Sequence, residues 1–236
     1  MGPTASSRYR LSRALLAAWG VALLLAAGFV LPGCNIVGAA YFFAVGPDKI
    51  PAVHTLEPTR PTVVFVDDRD NRLPRRTLRM VIAEEATRLL LENKALTTTP
   101  AGEVAAIDGR AAITAASRDR FGEPMSVAAI GNACSADVVI HVVFETFTLS
   151  TDGSTFAPSA RLRVKIIDAA NQKRLFPPGN DAVGYPLDVA LKQRLTDMPS
   201  SSGGVLQAQE VLAKECGRAV AELFYEHATA SPDRAK

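Results

Sequence analysis

Asp67, Asp68 and Asp70 stand within four residues of one another where the apolar run "VVFV" of residues 63–66 breaks into "DDRDNR". Carboxylates at the end of a strand can hold Mg²⁺, and one of them can attack a phosphoryl group. That chemistry also needs a positioned lysine and a later acidic pair to complete the metal shell. The one downstream stretch of the right flavour, "GNDAVGYPLD" at 179–188, carries its two acids too far apart. Arg69, Arg72, Arg75 and Arg76 crowd the same turn and can neutralise the carboxylates in water. The simpler reading is a solvated strand-to-helix turn that places acid ahead of a helix start. The histidines add little, since His54 and His227 flank the domain and His141 sits alone in an apolar strand, where a satisfied, half-buried residue is expected. No second histidine lies at metal spacing, so neither a catalytic nor a metal site is expected. The serines of "SSSGG" at 200–204 have no G-x-S-x-G elbow and no base partner.

The elements that carry these residues follow from periodicity. Residues 62–66 are apolar throughout, which predicts a strand buried on both faces. Pro74 suits the first position of a helix, and Leu78, Ile82, Ala86 and Leu89 recur at helical spacing behind it. A short strand is expected at 96–99, then helices at 109–120 and 126–135, the second capped by Ser126. Strands at 137–149 and 159–168 read as an antiparallel hairpin. In the second, Leu162, Val164 and Ile166 alternate with Arg161, Arg163 and Lys165, so the basic residues line a wet face. That row is the candidate partner face, or else an ordinary solvated one. A strand at 183–189, a loop at 196–204 and a final helix at 205–227, with Leu212, Cys216, Val220 and Leu223 as its stripe, complete the order. The predicted fold class is α+β, a mixed or mostly antiparallel sheet covered on one face by helices.

The N-terminus reads as export machinery. A basic start with Arg8, Arg10 and Arg13 precedes the apolar run 14–30, and "LPGC" follows at 31–34. "LPGC" resembles the lipobox of bacterial lipoproteins, with Pro32 where a small residue is usual. It implies a signal peptide at 1–33, cleaved before a lipid-bearing Cys34, and a membrane partner through that lipid. An uncleaved anchor is the alternative, because apolar residues continue past the cysteine. Either way the bulk of the chain lies outside the cytoplasm. Asn35 after the cysteine leans by resemblance toward the outer membrane. Residues 34–61, rich in proline, read as a tether, 62–228 as one domain, and 229–236 as a disordered tail. Removing the three arginines of the leader takes the 26 basic residues to 23 against 24 acids, a net −1, which excludes nucleic acid as an expected partner. With Cys34 lipidated, Cys134 and Cys216 remain as a candidate disulfide, or as free thiols with Cys216 buried.

The phrases "TVVFVDD", "CSADVVIHVVFETF" and "RLRVKIIDAANQKRLF" resemble the domain shared by curli-secretion lipoproteins and the N-terminal domain of the translocation protein TolB. The Ala136–Asp137 step opening the hairpin and the Ile167–Asp168–Ala169 step closing it carry the likeness over roughly residues 60–228. Envelope lipoproteins of this kind are also frequent in planctomycete-like bacteria. The resemblance implies an envelope protein that binds or assembles with others, with no reaction and no cofactor. Envelope proteins or a second copy of the chain are the partners it suggests. The insertions of the curli channel are missing, which argues against a secretion channel. The stretch at 68–72 also resembles the opening of haloacid-dehalogenase-type phosphatases, with Arg72 where that pattern has threonine. It implies, as the alternative, a metal-dependent phosphoryl hydrolase using Asp68 and Asp70.

Overall fold

The computed structural model describes residues 49–118, 123–179, 183–191, 199 and 201–228. The leader, Cys34, the tail 229–236 and residues 196–198 and 200 of the expected loop lie outside the described residues, while 202–204 of that stretch are helical. Strand β1 (Lys49–Ile50) is followed by β2 (Thr62–Asp67), helix α1 (Leu78–Glu92), β3 (Ala106–Ile107), α2 (Gly109–Ser117) and α3 (Val127–Ala133). Strands β4 (Val138–Thr148), β5 (Ser159–Asp168), β6 (Lys173–Phe176) and β7 (Tyr185–Ala190) come next, then α4 (Ser202–Glu222) and β8 (His227–Ala228). The class is α+β, as the periodicity predicts.

Six strands form one open, mixed sheet in the order β3-β2-β4-β5-β6, with β7 also paired to β5. Strand β2 runs parallel to β3 and β4, whereas β4, β5, β6 and β7 are joined antiparallel. Hydrophobic burial separates the two faces of the sheet, because successive side chains of a strand point opposite ways. Val64 and Val66, Ile140 and Val142, and Leu162, Val164 and Ile166 turn to one face and pack against α1 and α4. Val63, Phe65 and Val139 turn to the other, where α2 and α3 supply Ala112, Ala115 and Ile130. The first face is covered along the hairpin. The second is covered only over β2 and the start of β4, which is why residues 63–66 are buried on both sides while the rest of β5 stays wet on one.

Local chemistry fixes the helices. Ser126 accepts from the backbone N–H of Ala129 at 3.2 Å, Asp108 from Arg110 and Ser201 from Gly204, each answering an orphan donor of a helix start. The predicted stripe Leu212, Cys216, Val220 and Leu223 is wholly buried. Helix α4 approaches α1 closely at Gly217, where an added Cβ would lie 2.6 Å from the Ile82 carbonyl oxygen.

Four expectations change. Pro74 does not open α1; residues 75–77 form a turn and the helix starts at Leu78, after Asp68 has anchored the preceding loop. No strand forms at 96–99, where a Thr98–Val104 bridge leads instead to β3. Segment 49–61 is not a free tether. Its two-residue β1 pairs with β8, the backbone N–H groups of Val53 and His54 donate to Leu223 carbonyl oxygen, and Leu56 is buried, so the domain begins at Lys49 rather than at residue 62. Finally, Cys134 and Cys216 are free thiols. Cys216 lies in the cluster under α1 and α4 and Cys134 against the opposite one, so the sheet separates them and the candidate disulfide is not formed. Burial raises both thiol pKa values.

Candidate functional site

Asp68 is the most heavily engaged of the three aspartates. Its Oδ1 accepts from the backbone N–H of Arg72 at 2.6 Å and of Leu73 at 3.1 Å, and the residue is 8% exposed. It closes the loop that carries the chain from β2 to α1. Asp67 faces the other way. Its Oδ2 meets His141 Nε2 at 3.2 Å, and its Oδ1 lies 3.5 Å from Arg69 Nε. Parallel pairing sets Phe65 beside His141 and Asp67 beside Val143, so the pair is a diagonal contact on one sheet face. The imidazole also stacks on Phe65, ring centroids 5.7 Å apart. Burial would raise the Asp67 carboxyl, but the His141 hydrogen bond and the Arg69 charge outweigh it and hold it below the ordinary carboxylate range. Asp70 is exposed on the turn. His141 is therefore the satisfied strand histidine its surroundings predict. Among the described residues no three His, Cys, Asp or Glu side chains are grouped to hold a metal ion.

The basic row is not a bare positive strip. Arg161 Nε lies 2.7 Å from Asp188 Oδ1 of β7, and Arg163 Nε 2.7 Å from Glu145 Oε1, which the irregular register between Phe144 and Thr146 presents. The bond to Asp188 and its charge raise the Arg161 pKa further. Each arginine thus meets an acid from the neighbouring strand, and Lys165 sits between β4 and Gly184. The sequence places the acids far off in the chain, so the pairing emerges only with the sheet register.

At the opposite end of the strands a different ion pair closes the domain. Arg60 Nη2 donates to Asp168 Oδ2 at 2.8 Å, and Asp168 Oδ1 accepts from the Asn171 backbone N–H at 2.9 Å. Arg60 first, then the Asn171 bond, lower the Asp168 pKa to about 2. The Ile167–Asp168–Ala169 step is thus a clamp between the segment entering β2 and the turn leaving β5.

Sequence reasoning missed a cleft of about 320 Å³ at the carboxyl end of β2. Asp67, Asp68 and Arg69 form its rim from β2 and the turn, Arg76 and Arg79 reach it from the start of α1, and Ile113 and Ala116 line it from α2 above Phe65. Arg69 is occupied, donating from Nη2 to the Met125 carbonyl oxygen at 3.0 Å. Among the described residues no carboxylate pairs with Arg76 or Arg79; Arg79 Nε only donates weakly to the Arg76 carbonyl oxygen at 3.5 Å. These residues come from three elements and share no motif, so no linear signal marks them.

No family model matches this chain, and neither does any curated protein sequence. Among solved structures it is similar to a hypothetical protein, CT253, from Chlamydia trachomatis, at 17% identity over 70% of this chain and 93% of that one with a TM-score of 0.39. The PelC dodecamer from Paraburkholderia phytofirmans is similar at 11% identity, 75% of this chain and 96% of that one, TM-score 0.34. The lipoprotein GNA1162 from Neisseria meningitidis is similar at 11% identity, 64% and 90%, TM-score 0.31. Likeness this distant transfers neither partner nor assembly to this chain.

Proposed function

We propose that this chain is a lipid-anchored cell-envelope protein, held to the membrane through Cys34, whose α+β domain binds or assembles with other components and catalyses no reaction of its own. The observation that carries the reading is the use of the acids at 67–70. Asp68 Oδ1 holds two backbone N–H groups of the loop, and Asp67 meets His141 and Arg69, so both carboxylates are oriented by the fold they help to close.

Domain geometry supports the same reading. The described chain enters at Lys49, paired to β8 just beyond the end of α4. Helix α4 runs alongside α1 in the same direction, with Gln209 near Arg75 and Gly217 near Ile82. Entry is therefore at the end of the helix layer remote from the Asp67 turn. Among the described residues no strand pairs with the outer side of β7, which carries Pro186 at an edge position. That edge is one place where a second strand can add.

Intact mass and membrane fractionation of the chain beside its Cys34→Ala variant test the anchor. The expected result is loss of residues 1–33 and a gain of acyl mass in the wild type alone. If both proteins keep the leader and stay in the membrane, residues 14–30 are an uncleaved anchor instead. Saturable Mg²⁺ binding at millimolar metal that vanishes in Asp68→Asn would favour the hydrolase alternative over a binding module.

A further inference from the structure

Two features at the carboxyl end of β2 have separate origins and coincide. The first is topological. The chain leaves β2 through α1 on one sheet face, reaches β3, and returns through α2 and α3 on the other face to β4, on the far side of β2. Connections that depart to opposite faces leave a crevice outside the carboxyl end of the central strand, the place where open parallel sheets take ligands. The 320 Å³ cleft is that crevice. The second is electrostatic. The acids on its rim are engaged within the fold, Asp67 with His141 and Arg69, and Asp68 with backbone N–H groups, and these two carboxylates face three arginines, Arg69, Arg76 and Arg79, on the lining. Arg76 and Arg79 face the same space without a carboxylate partner among the described residues. The cleft is therefore positive at its mouth, with Ile113 and Ala116 as an apolar wall.

We infer that this cleft binds a small phosphate monoester, its dianion between the guanidinium groups of Arg76 and Arg79 and its organic body against Ile113 and Ala116. Guanidinium is the donor whose fork matches phosphate oxygens, and a cleft of this volume stands at the small end of ligand sites, which suits a compact molecule. The inference does not rest on the lipid anchor. It gives the proposed binding module a ligand class.

The test is calorimetric titration of the full chain in detergent at constant ionic strength, with phenyl phosphate, inorganic phosphate and glycerol 3-phosphate as probes. Saturable binding is expected, phenyl phosphate tighter than inorganic phosphate, and weakened about tenfold or more in Arg76→Gln/Arg79→Gln. The Arg76→Lys/Arg79→Lys variant, which keeps charge and loses the fork, should fall between the two. An Arg161→Gln variant on the paired strip should bind like wild type. Short-chain phosphatidic acid separates the two sources of the phosphate. Tighter binding than glycerol 3-phosphate assigns a lipid headgroup, and equal or weaker binding a soluble ester. No saturable binding of any probe, or equal binding by wild type and both double variants, overturns the inference.

Discussion

The two ends of β2 use charge in opposite ways. At its amino end Arg60 and Asp168 meet at 2.8 Å with the carboxylate almost wholly buried, and Pro61 carbonyl oxygen accepts from the N–H groups of Asp137 and Val138. Each of these polar groups helps join the entering segment to the hairpin. At its carboxyl end Asp68 is held by the loop and Asp67 by His141, while Asp70 is exposed on the turn and Arg76 and Arg79 meet no carboxylate among the described residues. A strand end whose charges are all paired is a joint. One that turns two arginines without a carboxylate partner toward a cleft is suited to an anion.

The largest effect that would break this comparison is in the loop. Asp68→Ala removes the acceptor for two backbone N–H groups, one of them on buried Leu73, and should cost about 2 kcal/mol of stability by urea unfolding. Asp68→Asn keeps an acceptor oxygen and should cost less. An unchanged midpoint in Asp68→Ala would mean the carboxylate is available for other work.

A smaller effect is expected at the joint, and it depends on pH. The Asp168 pKa is held at about 2 in the fold, below an unfolded value near ~3.9. The unfolded state thus binds the proton more readily. The pair's stabilisation is complete above about pH 4 and is lost as pH falls toward 2. With solvent screening the contribution is about 1 kcal/mol. Arg60→Ala should lose that amount at neutral pH and flatten the acid limb of the stability curve between about pH 4 and 2. An identical acid limb in wild type and variant would mean that the Arg60–Asp168 pair adds nothing to acid stability.

The smallest effect belongs to the hairpin strip. Arg161 and Asp188 are more than half exposed, so despite a 2.7 Å contact Arg161→Ala should leave the urea midpoint within experimental scatter of wild type. A midpoint lowered as far as in Arg60→Ala would make that strip a structural joint as well.

Much of this fold is legible in the residues because hydrophobic period decides it. Alternation at Leu162, Val164 and Ile166 sets β5 to the residue, the stripe from Leu212 to Leu223 sets α4, and Ser126 marks the start of α3. Short elements escape for the same reason: β1, β3 and β8 have two residues each, too few for any period. "KRLF" forms β6 by pairing with β5, although two prolines follow it. The prolines of segment 49–61 signal irregular backbone, and irregular backbone packs when a residue such as Leu56 finds a pocket. At the site, the three aspartates announce themselves locally, whereas Arg79 and Ile113 become neighbours only after β2 and its crossovers are formed. Local spacing therefore points to the spent acids and is silent about the unspent bases.

The most direct test of that contrast is a paired NMR titration of the chain, following the backbone amides of residues 67–73 and the Arg Nε–H signals, first with phenyl phosphate and then with Mg²⁺. The expected result is that phenyl phosphate shifts Arg76 and Arg79 saturably while Mg²⁺ leaves the amides of the Asp68 turn in place. Saturable movement of that turn with Mg²⁺, and none of the arginines with phenyl phosphate, would contradict it and return the three aspartates to chemistry.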